Sequence, residues 1–269
     1  MAVVVTGCAG FIGSNLVDRL LAQGQEVIGL DNFSTGQIRF LEGALKDPKF
    51  RLIRGDILDL ERLKDCFRGG ESVFHLAANA DVRFGGDHPR KDLEQNTIAT
   101  HNVLEAMRAN GIKRVAFSST GSVYGEAPVI PTPENAPFPV QTSLYGASKL
   151  ASEGLIAAYC EMYGFTGILG RWVHILGERY LHGHIIDFLR KLRRDPTQLH
   201  ILGDGQQAKS GLHAANLVDG LWATMQHHDS QEGICEPYNF GGDTLLTVAD
   251  SAQLICDTIG VNPIYTFSG

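Results

Sequence analysis

The chain opens on Ala2-Val-Val-Val-Thr6, a run of β-branched, charge-free residues. A strand that is apolar on both faces belongs inside a parallel sheet. Ile12, Leu16, Leu20 and Leu21 then recur at helical spacing, which predicts an amphipathic helix behind that strand. Gln25-Glu-Val-Ile-Gly-Leu30 predicts a second strand, and similar runs follow at Arg51-Leu-Ile-Arg54, Ser72-Val-Phe-His-Leu76, Arg114-Val-Ala-Phe117 and Gly167-Ile-Leu-Gly170. Between them the pattern predicts helices near 59–67, 91–109 and 146–163. Alternation of this kind, with apolar strands, predicts an α/β fold built on a doubly wound parallel sheet.

After about residue 171 the pattern loosens, and histidines, glycines and short apolar runs mix. We therefore expect one domain from 1–171 plus 211–236 and a smaller lobe from 172–210 plus 237–269 that covers the substrate. The stretch from Ala127 to Pro139 carries too many prolines for a strand or helix and predicts a loop. In open α/β sheets ligands bind beyond the carboxyl ends of strands, so this loop is placed where it could line a site.

The segment joining the first strand to the first helix is Gly7-Cys-Ala-Gly10-Phe-Ile-Gly13. Glycines there permit a tight turn and close approach of a pyrophosphate to a helix N-terminus, whose N–H groups and dipole favour anions. Asp31 follows the second strand, 18 positions after Gly13. An acid at that place accepts hydrogen bonds from ribose hydroxyls and repels a 2′-phosphate, so NAD is expected over NADP. Strand, glycine turn, helix, strand and acid in this order make the expected domain a Rossmann-type dinucleotide-binding unit.

Tyr145 and Lys149 lie four apart in Ser143-Leu-Tyr-Gly-Ala-Ser-Lys149. On a helix they share a face. A neighbouring ammonium favours a phenolate, which makes Tyr145 a candidate acid–base group. An ordinary amphipathic helix carrying a chance Tyr and Lys is the alternative that this pair alone leaves open.

Composition narrows the partners. A net charge of −7 with no basic run argues against nucleic acid and anionic membrane. No apolar stretch approaches bilayer length, and the N-terminus has no cationic n-region. Five scattered cysteines without C-x-x-C spacing indicate neither a disulfide framework nor a zinc site, and fit reducing cytosol. His182 and His184 flank Gly183 but lack a further ligand cluster, so no metal is expected.

Several ordered motifs carry a resemblance: Gly7-x-x-Gly10-x-x-Gly13, Asp31-Asn32, Gly55-Asp56-Ile57, His75-Leu76-Ala77-Ala78, Asn96, Ser118-Ser-Thr120-Gly-Ser-Val-Tyr124-Gly, Tyr145-x-x-x-Lys149 and Leu202-Gly-Asp-Gly-Gln-Gln207. On these the chain resembles the extended short-chain dehydrogenase/reductase family. Within it the chain is most similar to nucleotide-sugar epimerases and dehydratases, nearest the 4-epimerases of UDP-glucose and UDP-galactose. The resemblance implies that Gly7, Gly10, Phe11, Ile12, Gly13, Asp31, Asn32, Asp56, Ile57, Leu76, Ala77, Ala78, Asn96, Ser118, Tyr145 and Lys149 bind NAD. It implies a catalytic set of Thr120, Tyr145 and Lys149: Tyr145 takes the proton of the sugar 4-hydroxyl as hydride passes to the nicotinamide, Thr120 hydrogen-bonds the same oxygen, and Lys149 holds the ribose and lowers the phenol pKa.

The same resemblance separates subclasses. Dehydratases of the family carry Asp-Glu directly after the Thr, and here Gly121 and Ser122 stand there, so epimerisation is expected and elimination is not. Thr120, Tyr145, His174 and Lys209 are the implied substrate contacts. His174 stands where the family has Asn, Gly211 where it has an aromatic, and Asn216 where an Asp is frequent. The chain ends at Phe267-Ser-Gly269, before the family's usual end, and the residue that gates N-acetylated sugars is expected beyond it. A homodimer is implied through helices 91–109 and 146–163, with Val103, Leu104, Leu155 and Ile156 as the apolar contacts. Another nucleotide-sugar epimerase, a dehydratase, or a non-catalytic NAD-binding homologue remain the alternatives.

Overall fold

The computed structural model describes every residue except Pro139 and His182, and the side chains of Val82, Arg83 and Phe84 lie outside the described set. It divides into two compact units, Met1–Trp172 with Ala214–Phe240, and Val173–His213 with Gly241–Gly269.

The larger unit begins with β1 (Ala2–Thr6), α1 (Phe11–Ala22) and β2 (Val27–Asp31), then β3 (Phe50–Arg54), α2 (Leu60–Cys66) and β4 (Gly70–His75). Short helices α3 (Val82–Asp87) and α4 (Pro89–Asp92) lead through a π-helical stretch, Leu93–Ile98, into α5 (Ala99–Ala109). β5 (Arg114–Thr120), α6 (Leu144–Tyr163) and β6 (Thr166–Trp172) follow.

In the smaller unit lie β7 (His174–Leu176), α7 (His184–Arg194), β8 (Gln198–Ile201) and β9 (Ala208–His213). The chain returns to the larger unit for α8 (Ala214–His227) and β10 (Ile234–Phe240), then completes the smaller one with β11 (Leu245–Thr247), α9 (Val248–Ile259) and β12 (Ile264–Phe267). Residues 211–213, expected in the larger domain, thus complete β9 of the smaller unit. Residues 237–240, expected in the lobe, complete β10 of the large sheet.

That sheet has seven parallel strands in the order β10-β6-β5-β4-β1-β2-β3. β1 is buried along its whole length, as its unbroken apolar run requires. The chain moves outward from β1 through β2 and β3, then recrosses to β4 on the other side. The strand order therefore reverses between β1 and β4, and a crevice at the carboxyl ends of strands follows from that reversal. Leu63, Phe67, Val103, Leu104, Met107 and Ile156 are fully buried in the core on one face of the sheet.

Two elements differ from expectation. The helix expected over 91–109 is interrupted: Asn96 sits within the wider π turn, where its carbonyl accepts from the hydroxyls of Thr100 (2.5 Å) and Ser152 (3.1 Å). π turns of this kind mark functional places in many helices. Val103, Leu104 and Ile156, expected at a dimer contact, are buried at 0% exposure inside the core, against which Leu155 also packs.

In the smaller unit β9 pairs with β11 and β7, and β8 pairs with β12. Its core is separate, formed by Phe188 and Leu192 of α7, Leu199 and Ile201 of β8, and Ala252 and Cys256 of α9. Thr247 caps α9 by a reciprocal pair of bonds with Asp250.

Candidate active site

The glycine turn between β1 and α1 is held by sterics. Gly7 has φ +72°, and a Cβ there would lie 2.8 Å from the backbone N of Ala77. A Cβ on Gly13 would lie 2.0 Å from the Gly7 carbonyl oxygen. Neither position admits a side chain. α1 starts without a side-chain cap and without an acid in its first turn, so nothing negative occupies the dipole end where an anion is favoured.

The crevice is lined by polar groups that fix one another. The Thr6 hydroxyl oxygen accepts from the N–H of Leu76 (3.2 Å) and of Ala77 (3.3 Å) and stands 2.8 Å from His75 Nδ1. With its acceptor capacity used, Thr6 donates to Nδ1, which assigns the proton of His75 to Nε2, 3.1 Å from Thr100 Oγ1. Burial and then the charge of Lys149 bring the His75 pKa down to about 3, so the ring is a neutral strut. At the end of β2, Asp31 accepts from Ala9 N (2.9 Å, Oδ2) and Phe33 N (2.8 Å, Oδ1). Beside it Asn32 donates to Asp56 (2.9 Å), Asp56 accepts from Leu58 N (2.9 Å), and the Ile57 side chain is buried.

At the other side of the crevice β5 delivers Ser118 and Thr120, and α6 delivers Tyr145 and Lys149. Ser143 caps α6 by accepting from Gly146 N at 3.0 Å, which places Tyr145 in the first turn. Thr120 lies close enough to Tyr145 to act on its phenol, and its hydroxyl donates to Ser122 Oγ (3.2 Å) and accepts from Ser122 N (3.1 Å). Lys149 is 1% exposed; its Nζ donates to the Ser118 carbonyl (2.7 Å) and hydroxyl (3.3 Å) and lies 4.7 Å from the centre of the Phe117 ring.

Residues 3–241 match the family model described as the NAD dependent epimerase/dehydratase family. The chain belongs to this family. It is similar to a UDP-glucose 4-epimerase of Mycolicibacterium smegmatis, 36% identical over 227 residues, 82% of this chain and 72% of that protein. Among solved structures it is similar to a UDP-galactose 4-epimerase at 37% identity with a TM-score of 0.89, covering 99% of this chain and 86% of that one. A Thermotoga maritima UDP-glucose 4-epimerase solved with UDP-glucose matches at 31% identity with a TM-score of 0.88, over 99% of this chain and 85% of that one.

The turn and crevice fit NAD, the cofactor of this epimerase/dehydratase family. The glycine turn offers a surface that any Cβ would obstruct, the α1 terminus carries no competing anion, and each Asp31 oxygen retains lone-pair capacity after its one backbone bond.

The electrostatics of the acid–base pair differ from the expectation that Lys149 lowers the phenol. Burial pushes the Tyr145 pKa up to about 12, with the Thr120 hydroxyl working downward and the charge of Asp92 upward. Burial also brings Lys149 down to about 7 against the pull of Asp92 and Glu153. Burial of the phenol is the leading cause, and the Lys149 ammonium is turned toward Ser118 and donates there.

Sequence reasoning did not single out Asp92, Ser148, Glu153 or Asn239. Asp92 accepts from Asn79 Nδ2 (2.8 Å), Asn96 donates to Ser148 Oγ (2.9 Å), and Ser148 donates to the Tyr145 carbonyl (2.8 Å). Glu153 is bound bidentately by Arg171 (2.7 and 3.0 Å) and accepts from the Ser119 hydroxyl. Arg171 reaches further, to the Tyr124 hydroxyl (2.7 Å) and the Glu134 carbonyl (3.0 Å). Asn239 of β10 accepts from Tyr124 (2.9 Å), donates its side chain to the Thr132 carbonyl (2.8 Å) and its N–H to the Glu134 carboxylate (3.0 Å). This fastens the proline-rich loop to the sheet. Glu153 had a faint signal, one turn beyond Lys149 on the same helix.

The other two candidate substrate residues lie in the smaller unit. His174 and Lys209 line a cavity of about 320 Å³ whose other walls include His184, Leu176, Leu246 and Ile255. The rings of His174 and His184 stack at 5.0 Å, and burial, then the charge of Lys209, hold His184 below its ordinary pKa. Gly211 also lines this cavity. His182 lies outside the described residues, and among those described no cluster of three or more His, Cys, Asp or Glu could hold a metal. No helix is long and apolar enough to cross a membrane among them.

Proposed function

We propose that this chain is an NAD-dependent isomerase that inverts the C4 configuration of a UDP-hexose of the UDP-glucose/UDP-galactose type, through a transient 4-keto sugar. The observation that carries this is Thr120 at the end of β5 acting on Tyr145, with Lys149 buried one turn along α6 on the Ser118 carbonyl, and with Thr120 followed in sequence by Gly121 and Ser122, which bear no acid or base able to eliminate water. The named relatives support it.

Gly7, Gly10, Phe11, Ile12 and Gly13 would hold the pyrophosphate of NAD, and Asp31 its ribose. Asn32, Asp56 and Ile57 would flank the adenine, with Leu76, Ala77, Ala78, Asn96 and Ser118 along the remainder. When bound, NAD supplies the hydride acceptor and a positively charged ring. Tyr145 Oη removes the proton from the sugar 4-hydroxyl and returns it after the ketone has turned. Thr120 donates to the same oxygen, and the Lys149 ammonium, fixed on Ser118, supplies positive charge behind the phenol. With the phenol up at about 12, forming the base requires that positive charge to be near. His174 and Lys209, on one cavity wall, would contact the diphosphate end of the substrate, and the unit that holds them would be the substrate lobe.

A homodimer in the cytosol completes the reading. Its support is exposed Ile98, Met162 and Tyr163 on the helical segments concerned, rather than the residues the sequence pointed to; light scattering measures it. The function itself is tested by incubating the protein and NAD with UDP-, dTDP-, CDP- and GDP-hexoses and identifying products by mass and NMR. A UDP-sugar product of unchanged mass, inverted at C4, is expected. Loss of water, or no conversion of any UDP-hexose, would refute the reading.

A further inference from the structure

Asp92 ends α4 at 1% exposure. Its Oδ1 accepts from Asn79 (2.8 Å) and, at 3.4 Å, from Asn96. Its Oδ2 is buried and has no hydrogen-bond partner. The wall in front of Oδ2 is Gly85, where a Cβ would lie 2.1 Å away, and the Gly85 N–H is already given to the Asp81 carbonyl at 3.0 Å. Among the described residues no donor stands on that wall. Burying a carboxylate oxygen without a donor is unfavourable, and a fold keeps such a charge where an opposite buried charge balances it.

Asn96 Nδ2 bridges Asp92 Oδ1 (3.4 Å) to Ser148 Oγ (2.9 Å), and Ser148 donates to the Tyr145 carbonyl (2.8 Å), so the carboxylate is tied to the turn of α6 that carries Tyr145 and the buried cation Lys149. The lysine's own hydrogen bonds go to neutral oxygens of Ser118. Among the described residues, which leave out the Arg83 side chain of α3, few groups face the pair. From α6 there is Glu153, bound by Arg171 of β6; from β4 there is neutral His75; from β5 there is the Thr120 hydroxyl. Asp92 and Glu153 both act on Lys149, and Asp92 is the carboxylate that also acts on Tyr145.

We propose that Asp92 is a positioning residue for the Tyr145–Lys149 pair: its buried carboxylate, one oxygen of which has no hydrogen-bond partner, keeps the ammonium on Lys149 and sets the pH window in which the phenol releases its proton. This rests on the acid–base reading of Tyr145 given above. The sign of the effect follows. Without the negative charge the phenol ionises more readily and the ammonium is held less tightly, so both titrations move to lower pH.

The test compares the wild type with Asp92→Asn, which keeps an acceptor for Asn79 and removes the charge, and with Asn79→Ala, which removes the 2.8 Å donor and keeps the charge. Titrations are followed by NMR of protein labelled at tyrosine Cζ and lysine Cε, with Tyr145→Phe and Lys149→Met for assignment, and by the pH profile of kcat. In Asp92→Asn both titrations and both limbs of the profile should move down by ~1 pH unit, while Asn79→Ala leaves them in place. Movement of one or neither in Asp92→Asn, or an equal shift in Asn79→Ala, overturns the proposal in favour of packing alone. If Asp92→Asn does not fold, Asp92→Ser removes the charge and keeps a hydroxyl acceptor, and the same outcomes apply. Absence of epimerisation in the wild type would strike the proposed function, while the NMR titrations still decide the role of Asp92.

Discussion

Four residues apart on α6, Lys149 and Glu153 are both buried charges, at 1% and 4% exposure, and they are kept in opposite ways. Glu153 meets Arg171 through two bonds and the Ser119 hydroxyl through a third. Burial alone would lower the Arg171 pKa, but its bonds to Glu153 and Tyr124 carry it up, so the guanidinium stays charged. Lys149 instead meets only neutral oxygens, and its pKa lies at about 7. A matched buried charge serves structure. One held only through space, as Lys149 is by Asp92 and Glu153, is left able to respond when a ligand or a neighbour changes its charge.

The largest effect that can break this contrast is on rate. Tyr145→Phe keeps the ring and removes the proton acceptor, so kcat for 4-epimerisation should fall by ~10²–10⁴ while bound NAD, measured after denaturation of the purified variant, is retained. Thr120→Val should cost less. Near-normal turnover of Tyr145→Phe would place the acid–base chemistry elsewhere.

Glu153→Gln, on the matched side, should leave Arg171 buried and unpaired. A loss of about 3–5 kcal/mol in stability by urea melting is expected. If Glu153→Gln instead held its stability and lost only turnover, the division between structural and reactive charges would be wrong.

Asp31 is an intermediate case, matched by two backbone N–H groups and still able to accept more. Asp31→Ala should weaken NAD by about 1.5–3 kcal/mol, the worth of hydrogen bonds to a charged group, and relax the preference over NADP. Fluorescence titration with both cofactors measures this.

The smallest effect is a slope. The folded pKa of Lys149, about 7, is below its ordinary 10.5, so between those values the unfolded chain binds the extra proton. Stability should therefore rise with pH across that window, by up to ~1.4 kcal/mol per pH unit. Lys149→Met should remove this rise. Urea melts of both proteins at pH 7, 8 and 9 compare the slopes, and parallel curves would contradict the depressed lysine.

What was legible in the sequence was local. The glycine turn, Asp31 and the Tyr145–Lys149 spacing are each defined by neighbours within one turn or one strand, and their steric needs are written in residue type. The core strands were legible because a strand buried on both faces has no polar positions to confuse it. Asp92 with Asn79, and Glu153 with Arg171, were not, because each charge is explained by a group 13 or 18 positions away that only the packed fold brings near. The direction of the Lys149 side chain depends on the Ser118 carbonyl at a separation of 31, and the raised phenol on burial that only the packed fold supplies. The three-residue strands β7 and β11 are too short to carry a period, which is why the limits of the smaller unit were displaced by a few residues at β9 and β10.

The fastening of the proline-rich loop by Asn239 also has an order in time. Its partners Glu134 and Thr132 lie 105 and 107 residues earlier in the chain, whereas Glu153 and Arg171 are only 18 apart. At ~5–20 residues per second of synthesis, roughly 5–20 s separate the making of the loop from the making of its anchor. During that interval α6 can already pair with β6, and the smaller unit's first strands are being made. The loop beside the Tyr145 helix therefore gains its Asn239 bonds last in the larger unit, and a nascent chain stalled before β10 would hold a formed dinucleotide turn next to a wall held by Arg171 on the Glu134 carbonyl and lacking those bonds.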